Sequence, residues 1–283
     1  MILIADSGST KTSWCVLEEG KTESISFTTE GYNPYYIDAS YIAASLQKKL
    51  PAGMNVAAIK KVYFYGAGCY EEKANVVQNG LRAVFPLAEL VVNLDILAAS
   101  RALLGNKRGF VSILGTGTNT CIYDGNVIVQ NIDSLGFLLG DEGSGAYMGK
   151  KFLADLLRNK LPGNLQTLFD EKYELGRPEI FDRVYHQPYP NRFCAGFTRF
   201  IYENAHQETY CGQLITACFS DFFERLVSAY PAFTTYSFNA VGSIAFHFRE
   251  WLIPVVARFG METGKIVEAP IDELVRFHAG ELS

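Results

Sequence analysis

Ile2-Leu3-Ile4-Ala5-Asp6-Ser7-Gly8-Ser9-Thr10-Lys11-Thr12-Ser13-Trp14-Cys15-Val16-Leu17 opens the chain, and Phe110-Val111-Ser112-Ile113-Leu114-Gly115-Thr116-Gly117-Thr118-Asn119-Thr120-Cys121-Ile122-Tyr123 repeats its plan. With Gly8 placed over Gly117, an apolar run meets a short Gly/Ser/Thr turn and a second apolar run follows. Short aliphatic runs bounded by turn residues read as strands, so each segment is a hairpin with a glycine-rich tip. A third extended run follows in each half, over 24–28 and 127–130, after turns at Gly20 and Asp124-Gly125. Each half therefore opens on three antiparallel strands.

The same order of elements continues in both halves. Apolar spacing predicts helices over 41–50, 71–85 and 95–104 and strands over 61–65 and 89–93 in the first. The second predicts a glycine-entered helix over 144–157, a mostly helical stretch over about 165–230, a strand over 238–241, a helix from Ala245, a strand over 265–267 and a final helix over 272–279. Pro254 falls inside a helical pattern, where the helix is expected to kink or restart. A duplicated β-β-β-α-β-α unit predicts two α/β domains facing each other across a cleft, where ligands tend to sit. The boundaries are 1–106, with the C-terminal helix over 268–283 packing back on this domain, and 107–267 for a second domain with a helical insertion.

Composition narrows the class. A chain of 283 residues suits two domains. The net charge is −5 with no basic stripe, so nucleic acid is not an expected partner. The absence of a long apolar run argues against a membrane span, and the early start of structured sequence argues against a signal peptide, so a cytoplasmic location is expected. Six scattered cysteines form no C-x-x-C pair and read as reduced buried thiols; the four histidines show no metal-ligand spacing.

Five segments can carry chemistry. Asp6-Ser7-Gly8-Ser9-Thr10 lets backbone N–H groups and hydroxyls approach phosphate oxygens, with Asp6 placed for Mg²⁺ through water; its spacing is not that of a Walker A loop. Leu114-Gly115-Thr116-Gly117-Thr118-Asn119, with alternate glycines in a Thr/Asn turn, suits a polyphosphate. A valine at Gly117 is expected to weaken ATP binding and spare sugar binding. Asn93-Leu94-Asp95 ends a strand and opens a helix, so Asp95 reads either as an N-cap or as a general base. The run from Gly136 to Ala146 carries four glycines and two acids before a helix of small residues, which suits a pivot and a ligand. Val241-Gly242-Ser243-Ile244-Ala245 is a strand–glycine–helix junction able to meet a nucleotide.

Together, and in this order from residue 2 to about 280, these segments resemble the actin-like ATPase superfamily of sugar kinases, heat-shock ATPases and actin, and within it the BadF/BadG/BcrA/BcrD family with its N-acetylglucosamine kinases. Gly115-Thr116-Gly117-Thr118-Asn119 also resembles the phosphate loop of hexokinases. The resemblance implies two actin-like (ribonuclease H-like) domains and an ATP- and Mg²⁺-dependent transfer to the 6-hydroxyl of N-acetylglucosamine or glucosamine. It implies that Asp6, Gly8, Ser9 and Thr10 line the first phosphate site, that Thr116, Gly117 and Thr118 contact the β/γ-phosphates, and that Gly242 and Ser243 meet adenosine. Asp95 matches the catalytic base, and Asn33, Asn119, Gly136 and Asp141 match positions on the sugar side. A homodimer is compatible with it. Leu135 departs from the tryptophan of the mammalian N-acetylglucosamine kinases, which bears on the N-acetyl preference. Two alternatives stand beside the kinase. An iron–sulfur ATPase activator of a dehydratase or reductase needs cysteine ligands near a dimer axis, and Cys121 and Cys194 make no suitable pair. A sugar sensor without catalysis would have no need of Asp95 and both phosphate loops.

Overall fold

Alternating apolar residues in β1 (Ile2–Ser7) supply two faces at once. Leu3 and Ala5 are buried with Trp14, Phe64, Val77 and Leu81, whereas Ile4 is buried on the other face with Tyr65, Ala98 and Leu274. A strand covered on both faces belongs in the middle of a sheet. In the computed structural model, which describes residues 1–18, 25–70 and 72–280, β1 is the central strand of five. It pairs antiparallel with β2 (Lys11–Leu17), which pairs antiparallel with β3 (Ile25–Glu30). On its other side it pairs parallel with β4 (Lys61–Gly66), which pairs parallel with β5 (Glu89–Leu94). Three helices complete this sheet's layers: α1 (Ala39–Lys49), α2 (Lys73–Val84) and α3 (Asp95–Leu104). The turn expected at Gly20, the start of the third run at Ser24 and the helix start at Glu71 lie outside the described residues.

A second five-stranded sheet has the corresponding order. Its central strand is β6 (Gly109–Leu114), flanked on one side by β7 (Thr118–Tyr123) and β8 (Ile128–Asn131) and on the other by β9 (Ser237–Val241) and β10 (Glu262–Val267). β6 with β9 and β9 with β10 are parallel. The chain groups into two compact units, one comprising Met1–Gly109, Ile122–Val129 and Ala269–Ser283, the other Phe110–Cys121 and Gln130–Glu268. Both are α/β.

Between β8 and β9 the chain is helical. A single turn, α4 (Gly136–Leu139), precedes α5 (Gly145–Leu157), and α6 (Gly163–Lys172), α7 (Arg177–Tyr185), α8 (Pro190–Ala195), α9 (Thr198–Asn204) and α10 (Thr209–Arg225) follow. Phe152, Phe169, Tyr173, Phe197 and Phe200 hold this layer together, with ring centroids 5.0 to 6.5 Å apart. Such spacings are those at which aromatic pairs attract beyond simple burial. The helix break expected at Pro254 occurs earlier, at Phe248, between α11 (Ser243–His247) and α12 (Arg249–Arg258). Pro254 lies exposed in the second turn of α12, so the one carbonyl it leaves without a donor, that of Glu250 in the first turn, is open to water.

The last helix, α13 (Ile271–His278), joins the first unit. Leu274 is buried beside Ile4, Tyr65 and Ala98. His278 stacks on Tyr63 with centroids 4.0 Å apart, and its Nε2 is 2.9 Å from the Tyr65 hydroxyl. Arg101 donates to that hydroxyl at 2.5 Å, which leaves the phenol proton for a neutral imidazole. Burial, then the charges of Arg101 and Lys61, hold the His278 pKa down at about 4. A histidine with a depressed folded pKa stabilises the fold above its unfolded value and loses that contribution as pH falls toward the folded one. His278→Gln is therefore expected to melt below wild type at pH 7.5, with the gap narrowing at pH 5 by roughly 2–4 °C, the shift that about 1 kcal/mol gives a chain of this size. Calorimetric melting of both proteins at the two pH values measures it; a gap independent of pH would count against a neutral, buried His278.

Candidate functional site

In the first unit the acids come from strand ends. Alternation along β1 turns Ser7 and Asp6 to opposite faces. Ser7 is buried, 2.8 Å from the Thr12 hydroxyl, and accepts the Tyr32 N–H at 3.0 Å. Gly8 donates to the Lys11 carbonyl at 3.0 Å, closing a turn on whose rim Ser9 and Thr10 sit. Gly31 donates to the Thr10 carbonyl at 2.9 Å and passes so near this turn that a Cβ would overlap the Gly8 carbonyl. Two residues on, Asn33 accepts the Tyr35 N–H at 3.0 Å through Oδ1 and abuts Gly68. The fold thus ties the Asn33 loop to the first turn.

Asp95 is the first residue of α3, just past the end of β5. The N-cap position belongs to Leu94, and the Asp95 carboxylate accepts the Ile96 N–H at 2.8 Å. Asp6 and Asp95 sense each other: burial first, and then the charge of Asp95, push the Asp6 pKa up to about 7, with Lys11 acting the other way. Cys69 is pushed up to about 12 by burial and then by Asp95. Negative potential is thus concentrated around the ends of β1 and β5. Among the described residues no cluster of three or more His, Cys, Asp or Glu is arranged to hold a metal. A cation on Asp6 must complete its shell with water and phosphate oxygens, which Mg²⁺ ordinarily does, and it would relieve the repulsion from Asp95.

In the second unit the turn between β6 and β7 is the meeting point. Gly115 donates to the Gly117 carbonyl at 3.0 Å. The carbonyls of Gly115 and Thr116 accept the N–H groups of Gly145 and Ala146, at 2.8 and 3.1 Å, so the first turn of α5 is docked on it. Gly242, with φ +125°, lies so close that a Cβ would overlap the Leu114 carbonyl, and exposed Ser243 begins α11 beside it. Thr118 donates its N–H to Asp141 Oδ1 at 3.1 Å and its hydroxyl to the Glu142 carbonyl at 2.8 Å.

Asp141 is buried, with φ +58°, a left-handed conformation that aspartate tolerates better than most residues. Burial pushes its pKa up to about 6, against the Thr118 N–H, the Ser134 hydroxyl and Lys150, while Glu142 adds to the rise. A Cβ on Gly117 would stand 3.1 and 3.3 Å from the Asp141 oxygens. The selectivity expected of a valine there took no account of this contact: the added side chain would press on the Asp141 carboxylate. Backbone angle plays no part, because none of Gly8, Gly115 and Gly117 has positive φ. Asn119 turns away from Thr118, its Oδ1 accepting from Thr120 N–H at 3.0 Å and Asn131 Nδ2 at 2.9 Å. Gly136, with φ +66°, follows Leu135, with φ +60°, and Leu135 is exposed.

Motif reading reached the glycines and strand-end acids but missed Lys11, Ser134 and Lys150, which act on them, and Cys69, on which Asp95 acts. These residues lie outside any glycine motif or, like Lys11, read as ordinary polar residues within one. Only the approach of separate elements reveals them.

No family model matches the chain, and no curated protein does. Solved structures do. A protein of Porphyromonas gingivalis, provisionally named an N-acetylglucosamine kinase, is 40% identical over 99% of this chain and 99% of its own, with a TM-score of 0.93. One of Chromobacterium violaceum with the same provisional name is 15% identical over 98% of each chain, with a TM-score of 0.72. A ROK family glucokinase of Streptomyces griseus, in complex with glucose and AMPPNP, is 14% identical over 98% of this chain and 97% of its own, with a TM-score of 0.52. The last two likenesses are of fold. The first is a full-length relationship of sequence and structure, and through it the chain belongs to the sugar-kinase family of the actin-like ATPase superfamily.

Proposed function

We propose that the protein is an ATP-dependent sugar kinase that transfers the γ-phosphate of ATP to the 6-hydroxyl of an amino sugar, N-acetylglucosamine or glucosamine. The full-length kinship with the Porphyromonas gingivalis protein carries this reading. The chemistry needs positioning, neutralisation of phosphate charge and a base, and the two units offer groups for each. Asp95 takes the proton of the attacking hydroxyl. Asp6 holds Mg²⁺ through water, the ion supplying charge neutralisation at the phosphates, with Gly8, Ser9 and Thr10 lining that phosphate site. Thr116, Gly117 and Thr118 contact the β/γ-phosphates, and Gly242 and Ser243 meet adenosine. Asn33, Asn119, Gly136 and Asp141 serve the sugar; the engagement of Asn119 with Asn131 makes it the weakest member of that set.

The direct test is ATP turnover coupled to ADP release across a panel of acceptors. Turnover is expected with N-acetylglucosamine or glucosamine and little above background without sugar; turnover with glycerol or ribose and no hexosamine would sink the assignment. Gly117→Val is expected to weaken both ATP and sugar binding by calorimetry, each by about tenfold or more, since small-to-large changes in packed sites cost roughly 1–3 kcal/mol. Unchanged affinities in a folded variant would remove Gly117 from the site.

Asp6→Asn adds a pH test. A carboxyl whose folded pKa is raised contributes stability below its unfolded value and loses it as pH rises through the folded one. The variant, neutral throughout, is expected to melt above wild type at pH 8 without Mg²⁺, by roughly 2–4 °C for each kcal/mol of relieved burial, and to converge with it near pH 4. It should also lose Mg²⁺-dependent turnover. Equal melting at pH 8 would show that the Asp6 charge is well solvated.

A further inference from the structure

Lys150 is the sixth residue of α5. Its Nζ lies 5.1 Å from the Phe137 ring centroid and 5.6 Å from that of Tyr147, and it donates to the Phe137 carbonyl at 2.7 Å. Among the described residues it forms no ion pair with a carboxylate. A half-buried ammonium placed against a backbone carbonyl and two rings gives its hydrogen bond and its field to whatever that backbone carries.

That backbone is α4. It is one turn long, closed by the Gly140 N–H on the Gly136 carbonyl at 2.8 Å, and entered through two left-handed residues, Leu135 and Gly136. An isolated turn has little stability of its own. Burial supplies little of it, because Leu138 and Leu139 are 82% and 79% exposed and Phe137 is only partly buried. The Asp141 N–H on the Ser134 carbonyl at 2.8 Å closes the loop around α4, and the connection back to the sheet is the Thr118 N–H of β7 on Asp141 Oδ1 at 3.1 Å. The Lys150 ammonium also acts through space on Asp141, lowering its pKa. The other groups facing Asp141 are Glu142, paired at 3.8 Å with Arg225, the Thr118 N–H and the Ser134 hydroxyl.

We propose that Lys150 is a positioning residue that anchors α4 through the Phe137 carbonyl and thereby holds Gly136 and Asp141 in place for the sugar. The specificity part of this inference rests on the kinase reading; the anchoring part does not. Lys150→Met keeps the apolar stem and removes the donor, and Lys150→Arg keeps a charged donor. In the methionine variant the KM for the hexosamine is expected to rise about tenfold, as for loss of a hydrogen bond to a charged group, with the KM for ATP changed less than about twofold. The acidic limb of kcat/KM for the sugar should move to higher pH, because Asp141 loses a charge that favours its ionised form. The arginine variant should restore both. Hydrogen exchange of amides 136–141 should be faster in Lys150→Met than in wild type, whatever the activity. An unchanged sugar KM with an unmoved acidic limb, or equal rises in both KM values, would overturn the specificity role. Unchanged exchange over 136–141 would overturn the anchoring itself. If wild type shows no sugar-dependent turnover, the kinase reading fails while the exchange result still decides the anchor. Should the methionine variant not fold, Lys150→Gln takes its place in the same measurements.

Discussion

Both hairpin tips are held by a second piece of backbone that passes where a Cβ would stand. Gly31 lies on the Gly8–Ser9 turn in the first unit, and Gly242 lies on Leu114 and Gly115 in the second. Backbone at this distance fixes a turn more tightly than side-chain packing does, because neither partner has a rotamer with which to yield. Much else is attached to these two contacts. Tyr32 and Asn33 follow Gly31, the start of α5 docks on Gly115 and Thr116, and α11 starts from Gly242. A turn built this way presents its amides and hydroxyls with little freedom left to lose on binding, which is what a preorganised phosphate site requires.

Each unit also holds a carboxyl under electrostatic pressure, by different means. Asp6 is crowded by protein and by the like charge of Asp95, with Lys11 as a partial counterweight. Asp141 is buried, and its charge is defended by the Thr118 N–H, the Ser134 hydroxyl and Lys150. The first arrangement leaves a repulsion that Lys11 offsets in part and that a cation beside Asp6 would relieve. The second favours an acceptor that can be bonded by a carboxylate fixed in place.

The duplicated fold was legible because it is written in local pattern. The echo between the segments around Gly8 and Gly117 gave the two three-stranded openings, and helices over 95–104 and near 144–157 were found within a residue or two. Pro254 misled because its cost depends on which carbonyl it orphans and whether water reaches that carbonyl, neither of which is a local property. Candidate site residues could be picked out where they are special in themselves, as with Asp6, Asp95 and Asp141 at strand and turn ends. The site was illegible where ordinary residues act by arrival from elsewhere: Lys150 reads as any helix lysine, Asn119 reads as a loop amide although it is bound to Asn131, and Gly117 reads as a glycine of a phosphate turn with no sign of the Asp141 carboxylate beside it.

The account turns on Asp95 as the group that takes the hydroxyl proton. Asparagine at this position keeps the size and can still accept the Ile96 N–H, so a purely structural Asp95 would lose little. The decisive measurement is sugar-dependent ATP turnover by Asp95→Asn, with ATP affinity and melting temperature taken on the same preparation. Turnover lower by about 10²–10⁴-fold, with ATP bound and the fold kept, is the result expected of a lost general base. Turnover within a few-fold of wild type would contradict the account and move the search for a base to Asp141.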